Sequence, residues 1–107
     1  MYSGMSSSNT VFIEKMKGAC LEVSQILKAM AHPHRLMILG HLFQGPKSVN
    51  ELVKLCEASQ SQVSQFLARM KSEGLVRSEK DGPYNVYSVA DRRLLRLMRT
   101  IHASYCE

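Results

Sequence analysis

The side chains best suited to recognition chemistry lie together in residues 59–74, a stretch rich in serine and glutamine. The candidate DNA-contacting residues are Ser59, Gln60, Ser61, Gln62, Ser64, Gln65 and Arg69. Such side chains can hydrogen-bond to base edges and phosphate oxygens in the major groove of DNA. A merely solvated helix face usually carries Glu and Lys instead, although a Ser/Gln face without any ligand is the alternative interpretation.

The order of residues in this stretch predicts a single helix with two different faces. Ser59 followed three positions later by Gln62 is a capping box, and Gly74 supplies a left-handed stop. At about 100° per residue, the apolar residues fall on one side; they are Val63, Phe66, Leu67 and Met70. The polar residues fall on the opposite side, so this stretch is predicted to be a recognition helix.

Three helices are predicted before the recognition helix. Residues 1–9 are small and polar and are predicted to form a flexible tail, leaving residues 10–107 as the DNA-binding and dimerisation domain. The helices are predicted at about 10–31, ending at His32-Pro33, at 34–43, ending before Gly45-Pro46, and from a Ser48/Glu51 capping box to about Cys56. Only three residues separate the third helix from the recognition helix, which predicts a helix-turn-helix.

A β-hairpin and a last helix are predicted after Gly74. Residues 75–80 and 84–89 are β-rich and flank Asp81-Gly82-Pro83. Arg77 on the first strand and Lys80 at the tip are candidate contacts to a phosphate backbone. Asp91 caps a helix to about Cys106. The predicted fold is mainly α with a small β-hairpin wing, a winged helix-turn-helix that dimerises through its amphipathic terminal helices.

Composition and charge agree with a small nucleic-acid-binding domain. The 107 residues allow one domain with a modest core, which gains stability from dimerising. Fourteen Lys and Arg against nine Asp and Glu give a net charge of +5, which favours a polyanionic partner, although ordinary solubility charge is the bland alternative. No apolar run is long enough to span a membrane and no signal-like start is present, so a cytoplasmic protein without a membrane partner is predicted.

No catalytic or metal-binding motif stands out elsewhere in the sequence. There is no nucleophile with a base, no paired carboxylates and no phosphate loop, so an enzyme is not predicted. Cys20, Cys56 and Cys106 form no CxxC motif and are odd in number, which predicts reduced thiols rather than a disulfide scaffold. Cys20 lies on an apolar stripe, where a buried structural cysteine is the commoner outcome. The four histidines share no ligand spacing, so neither a metal nor a cofactor is predicted.

Several segments together resemble the ArsR/SmtB family of bacterial winged-helix repressors over residues 20–106. The matching segments are 27–36 leading into Ile38-Leu39, then 48–52, 59–67 and 73–76. The resemblance implies a homodimer that binds an inverted repeat in a double-stranded DNA operator and dissociates when an effector binds. The positions that match the family's DNA-reading helix are Gln60, Ser61, Ser64 and Gln65.

The metal-ligand positions of this family are mostly changed in the chain. By resemblance to the family, arsenic- and lead-type sensors have a cysteine pair at the start of the third helix. This chain has Ser48 and Asn50 at those positions. Zinc-type sensors carry an Asp and, two residues later, a His on the last helix, where this chain has Asp91 and Arg93. Those sensors have two further ligands near the end of the last helix. Ser104 stands where the first of them, a His, belongs, and only Glu107 matches a ligand position. The resemblance therefore implies no tetrahedral zinc site, and a metal-responsive repressor with a different ligand set remains an alternative.

The end of the last helix resembles one branch of the family more closely. The branch similar to HlyU, BigR and SqrR ends this helix in an aromatic-Cys pair, which Tyr105-Cys106 reproduces, and the resemblance implies a response to oxidants or reactive sulfur. The second cysteine of that branch follows an Ile-Leu pair, where this chain has Gly40. Cys20 is the candidate replacement, because the terminal helices should pack together. A protein-interaction module without a small effector is the other alternative.

Overall fold

Five helices surround a small core, and a three-stranded antiparallel sheet flanks it, in a computed structural model that describes residues 7–106. The elements in chain order are α1 Ser7–Met30, α2 Pro33–Phe43, β1 Lys47–Ser48, α3 Val49–Cys56, α4 Gln60–Ser72, β2 Val76–Asp81, β3 Tyr84–Val89 and α5 Arg92–Tyr105. This order confirms the predicted winged helix-turn-helix. The predicted hairpin corresponds to β2 and β3.

The start of α1 corrects the predicted boundary of the tail. The helix begins at Ser7 rather than at about Thr10, so residues 7–9 are helical, while residues 1–6 of the predicted tail lie outside the described residues. Ser and Asn are favoured at helix starts, because their short polar side chains can bond to the unpaired N–H groups there. A small, polar composition therefore did not distinguish a tail from the first turn of a helix.

The sheet contains one strand that the sequence did not predict. Lys47 and Ser48 pair with Tyr87 and Val86, which places β1 beside β3 in the order β1-β3-β2. A strand of two residues is too short to show an alternating pattern, so periodicity could not reveal it. Gly82, with φ of +62°, allows the tight turn between β2 and β3. β1 ties the segment before α3 to the base of the wing.

The core forms where α2, α3, α4 and α5 meet the first residue of β2. Its buried apolar residues are Ala29, Met30, Ile38, Leu39, Leu42, Leu52, Val63, Leu67, Met70, Leu75, Val76 and Leu94. α1 supplies only the first two of these. Along the rest of α1, Phe12 is 62% exposed and Leu27 is 49% exposed. The predicted apolar stripe of α1 is therefore left largely uncovered by its own chain.

Candidate nucleic-acid interface and cysteine sites

The start of α4 is held by a reciprocal pair of side-chain hydrogen bonds. Ser59 Oγ accepts from the backbone N–H of Gln62 at 3.1 Å, and Gln62 Oε1 accepts from the backbone N–H of Ser59 at 3.3 Å. α3 begins with the same arrangement at Ser48 and Glu51, whose pKa is lowered chiefly by its hydrogen bond from the Ser48 backbone N–H. Glu57 ends α3 in the left-handed conformation, φ 51°, and so turns the chain sharply into α4. Both predicted capping boxes are confirmed.

Because of this capping box, Ser59→Ala is expected to lower the free energy of unfolding by about 1 kcal/mol. The change leaves the N–H of Gln62 without its acceptor at 3.1 Å. Chemical denaturation followed by circular dichroism measures the loss, and Ser59→Asn, which keeps an acceptor, should retain most of the stability. Equal stability of the Ala variant and the wild type would show that the cap contributes little.

Four of the predicted DNA-contacting residues lie together on the outer face of α4. Gln60, Ser61, Ser64 and Gln65 are all exposed, and none of their side chains is hydrogen-bonded within the part of the chain that the structure describes. The opposite face of α4 is fixed by the buried residues Val63, Leu67 and Met70. We call the exposed side chains of Gln60, Ser61, Ser64 and Gln65 the Ser/Gln face. Their donors and acceptors are free to bind a ligand.

The other three predicted DNA-contacting residues of this stretch differ from the Ser/Gln face, because their side chains have partners within the chain. They are Ser59, Gln62 and Arg69. The first two bond to each other in the capping box. Arg69 Nε lies 3.3 Å from Glu73 Oε1, one turn further along α4. Arg69 and Glu73 also line a groove of 540 Å³ between α4, α1 and the start of α5. The guanidinium of Arg69 therefore already has a partner in Glu73 and lines a groove shared with α1, whereas the four polar side chains of the Ser/Gln face have no partner among residues 7–106.

The wing is attached to the recognition helix by a residue that the sequence did not single out. Lys71 Nζ donates to Ser78 Oγ at 2.8 Å, which connects α4 to β2. Arg77 is exposed and its Nε donates to Ser88 Oγ across the hairpin at 3.3 Å, while Lys80 is exposed next to the tip. The two predicted wing cations therefore project from a hairpin whose position relative to α4 is fixed.

Phe66 was predicted to be a core residue, yet it also seats α4 against the junction of α1 and α2. Its ring centre lies 4.9 Å from that of His32 and 5.3 Å from the guanidinium of Arg35. Arg35 Nη1 in turn donates to the carbonyl oxygens of Lys28 and Ala29, at 3.2 and 3.1 Å, and closes the end of α1. His32 caps α2 by accepting from the N–H of His34 at 3.1 Å. No sequence pattern indicated that these residues would meet at the recognition helix.

The start of α5 is joined to α1 by an arginine. Asp91 accepts from the backbone N–H of Arg93 at 2.9 Å, which confirms the predicted cap. The Arg93 guanidinium contacts Asp91 at 2.8 Å and Glu22 of α1 at 3.2 Å. The hydrogen bond from the Arg93 side chain lowers the pKa of Asp91, and the two carboxylates raise the pKa of Arg93. Among the described residues, no group of three His, Cys, Asp or Glu side chains could hold a metal ion.

The two candidate redox cysteines are both exposed and both unpaired. Cys20 lies on the exposed part of α1 and Cys106 caps the end of α5, so the expectation that Cys20 is buried is wrong for the single chain. α1 meets α5 at the contact between Glu22 and Arg93, from which Cys106 lies about 20 Å further along the helix axis. Cys56 is half-buried, and this burial raises the pKa of its thiol. A Cβ at Gly40 would meet no atom within 4 Å.

Comparisons with known proteins agree with this geometry. The family described as "Bacterial regulatory protein, arsR family" matches residues 32–78. The chain is 35% identical over 95 residues to the HTH-type transcriptional regulator YgaV of Escherichia coli, covering 88% of this chain and 96% of that protein. No helix among residues 7–106 combines the length and apolar character that crossing a membrane requires.

Two solved structures share the architecture. The reduced form of HlyU from Vibrio cholerae superposes with a TM-score of 0.81 at 33% identity, covering 88% of this chain and 99% of that one. The transcriptional repressor BigR from Xylella fastidiosa superposes with a TM-score of 0.83 at 28% identity, covering 88% of this chain and 96% of that one. Likeness to both HlyU and BigR confirms the predicted resemblance to that branch of regulators.

Proposed function

Because the chain belongs to the arsR family of bacterial regulatory proteins, within its HlyU- and BigR-like branch, we propose that it is a homodimeric transcriptional repressor that binds an inverted repeat in operator DNA. The observation that carries this proposal is the Ser/Gln face, four exposed side chains without intramolecular hydrogen bonds on a helix whose other side is buried. The relatives of the chain named above are transcriptional regulators rather than enzymes. A repressor of this kind acts in the bacterial cytoplasm, because the DNA is there.

Operator recognition divides between the recognition helix and the wing. Gln60, Ser61, Ser64 and Gln65 read base edges in the major groove. Ser59 and Gln62 order the first turn of α4, whose free N–H groups favour a phosphate. Arg69, once it leaves Glu73, and the exposed Arg77 and Lys80 bind phosphates on either side. Phosphate contacts position the protein, whereas the Ser/Gln face selects the sequence.

Dimerisation supplies the second half of the operator contact. The exposed apolar residues of α1 need a partner surface, because large uncovered apolar patches mark interaction sites. A two-fold dimer through α1 and α5 would present two copies of α4 about 34 Å apart, one helical turn of DNA. The domain of residues 10–107 proposed from the sequence, extended by the first turn of α1, thus combines DNA binding with dimerisation.

Replacing Gln65 with Ala tests base recognition directly. Operator binding should weaken by about 1–3 kcal/mol, because a bidentate amide contact to a base is lost, while binding to random DNA should change much less. Fluorescence anisotropy with both DNAs at fixed salt measures the difference, and Gln25→Ala on α1 is the matched control. Equal losses on both DNAs would contradict base reading. A salt-independent affinity would instead favour a protein-interaction module, because phosphate contacts release counterions.

We further propose that oxidants or reactive sulfur release the operator through Cys106, paired with Cys20. Both thiols are exposed in the single chain, and the reaction requires that an oxidant reach at least one of them. With a polysulfide as oxidant, the two thiols lose two protons and two electrons, a disulfide forms and sulfide leaves. Because Cys106 lies far along α5 from the α1 contact, the geometry favours a bridge from Cys106 of one protomer to Cys20 of its partner. Such a bridge would change the spacing of the recognition helices.

A further inference from the structure

The outer side of α5 carries three arginines that the proposed DNA-binding surface does not use. Arg92, Arg96 and Arg99 are separated by four and three residues, so they line one side of the helix, and all are exposed. Between Asn9 and Cys106, no carboxylate forms an ion pair with any of the three. Arg93, by contrast, is engaged by Asp91 and Glu22. Within the described residues these three arginines therefore form no ion pair, and Asp91, whose pKa Arg96 helps to lower, already contacts Arg93.

Apolar groups adjoin these arginines. Arg92, Arg96 and Arg99, together with Leu95, line a shallow groove of 440 Å³. The guanidinium of Arg99 lies 5.8 Å from the ring centre of Phe43, which is 37% exposed at the end of α2. We call this surface, formed by Arg92, Leu95, Arg96, Arg99 and Phe43, the arginine face. It offers cations and apolar contacts side by side.

We infer that the arginine face binds an acidic peptide segment of another protein, one whose carboxylates alternate along the chain and are followed by an apolar side chain. Arg92 and Arg96 are about 6 Å apart along the helix axis, close to the spacing of roughly 6.7 Å between alternate side chains of an extended peptide. Guanidinium groups bind carboxylates in a bidentate manner. The exposed ring of Phe43 provides the apolar contact, which a phosphate backbone would leave unused.

The arginine face is separate from the Ser/Gln face. α4 packs against α3 and β2, whereas α5 packs against α2 and β3. The buried sides of both helices, at Leu67 and Leu94, belong to the same core, and the groove lined by Arg92, Leu95, Arg96 and Arg99 includes no residue of the Ser/Gln face. A peptide on the arginine face would therefore leave the operator contacts open. This inference does not depend on how the operator is released.

A labelled peptide tests the inference on the full-length dimer. The probe is Glu-Gly-Glu-Gly-Glu-Leu-Phe carrying fluorescein, and its anisotropy is followed as protein is added. Arg96→Gln/Arg99→Gln should weaken binding about tenfold, because two of the three ion pairs and the contact with Phe43 are lost. The control Lys28→Gln/Lys54→Gln removes the same charge from two exposed lysines without an ion pair in the described part of the chain and should change binding by less than about twofold. Operator selectivity should stay the same in both variants.

Any of the following results would overturn the inference. One is absence of peptide binding; another is equal weakening by Arg96→Gln/Arg99→Gln and by its lysine control, which would mean that only net charge matters. A further one is displacement of the peptide by operator-free duplex DNA through the same arginines, which would identify a phosphate-binding surface instead. The last is a change from dimer to monomer in Arg96→Gln/Arg99→Gln, measured by sedimentation, which would assign this side of α5 to contact between copies.

Discussion

Replacing both Phe12 and Met16 with Glu is expected to produce a folded monomer whose affinity for the operator is at least about 1,000-fold lower than that of the wild type. Both side chains lie on α1, exposed by 62% and 41%, and neither belongs to the core of its own chain. Glutamates at a dimer contact would bury unpaired charge, which is costly. A monomer reads only one half-site, so the advantage of binding both half-sites together is lost.

Two measurements distinguish this outcome from unfolding. Sedimentation gives the oligomeric state, and circular dichroism shows whether the helices remain. Phe12→Leu/Met16→Leu is the matched control, because it keeps both positions apolar and should remain dimeric with nearly unchanged operator affinity. If the Glu variant stays dimeric and binds the operator normally, the exposed stripe of α1 has another purpose and the proposed interface is wrong.

The second large effect concerns Cys106. Polysulfide treatment is expected to release the wild-type dimer from DNA taken from upstream of its own gene, and Cys106→Ser should remain bound after the same treatment. Cys20→Ser should also stay bound if Cys20 is the second thiol, because no bridge can then form. Operator binding by the reduced proteins should be equal in all cases, since both residues lie outside the recognition helix and the wing.

Cys56→Ser provides the internal control for this experiment. Cys56 is half-buried and burial raises the pKa of its thiol, so less of it is present as the reactive thiolate. This variant should release the DNA like the wild type. Mass spectrometry of the treated wild type should detect the peptide joined to Cys106. If the treated wild type stays bound, the thiol proposal is wrong, and titration with metals on the same DNA becomes the next experiment.

The likeness to HlyU and BigR leaves one chemical difference to explain. In this chain Gly40 occupies the position that the resemblance assigns to a second cysteine, and the space around a Cβ at Gly40 is open. A thiol would fit there, so steric crowding does not account for the glycine. The exposure of Cys20 on the proposed dimer helix is the feature that makes a bridge between protomers the alternative route.

Local chemistry in the sequence was sufficient to predict the helix-turn-helix. The capping boxes at Ser48 and Ser59, the cap at Asp91 and the left-handed Gly74 depend on contacts within a few residues, and the structure has all of them. The alternation of apolar and polar residues in α4 predicted its buried and exposed sides for the same reason. Short-range signals of this kind are readable because the chain brings the interacting groups together without tertiary contacts.

Tertiary structure alone decided which residues from distant segments meet. Three contacts depend on how the helices pack. They are the pairing of β1 with β3, the ring contact of Phe66 with His32, and the position of Arg69 in a groove shared with α1. The sequence by itself determined the order of the five helices and the β2–β3 hairpin, and the candidate recognition residues, since these follow from caps and periodicity. It did not determine the exposure of Cys20, because burial depends on which surfaces of other elements cover a helix, and in the structure of residues 7–106 Cys20 is left exposed.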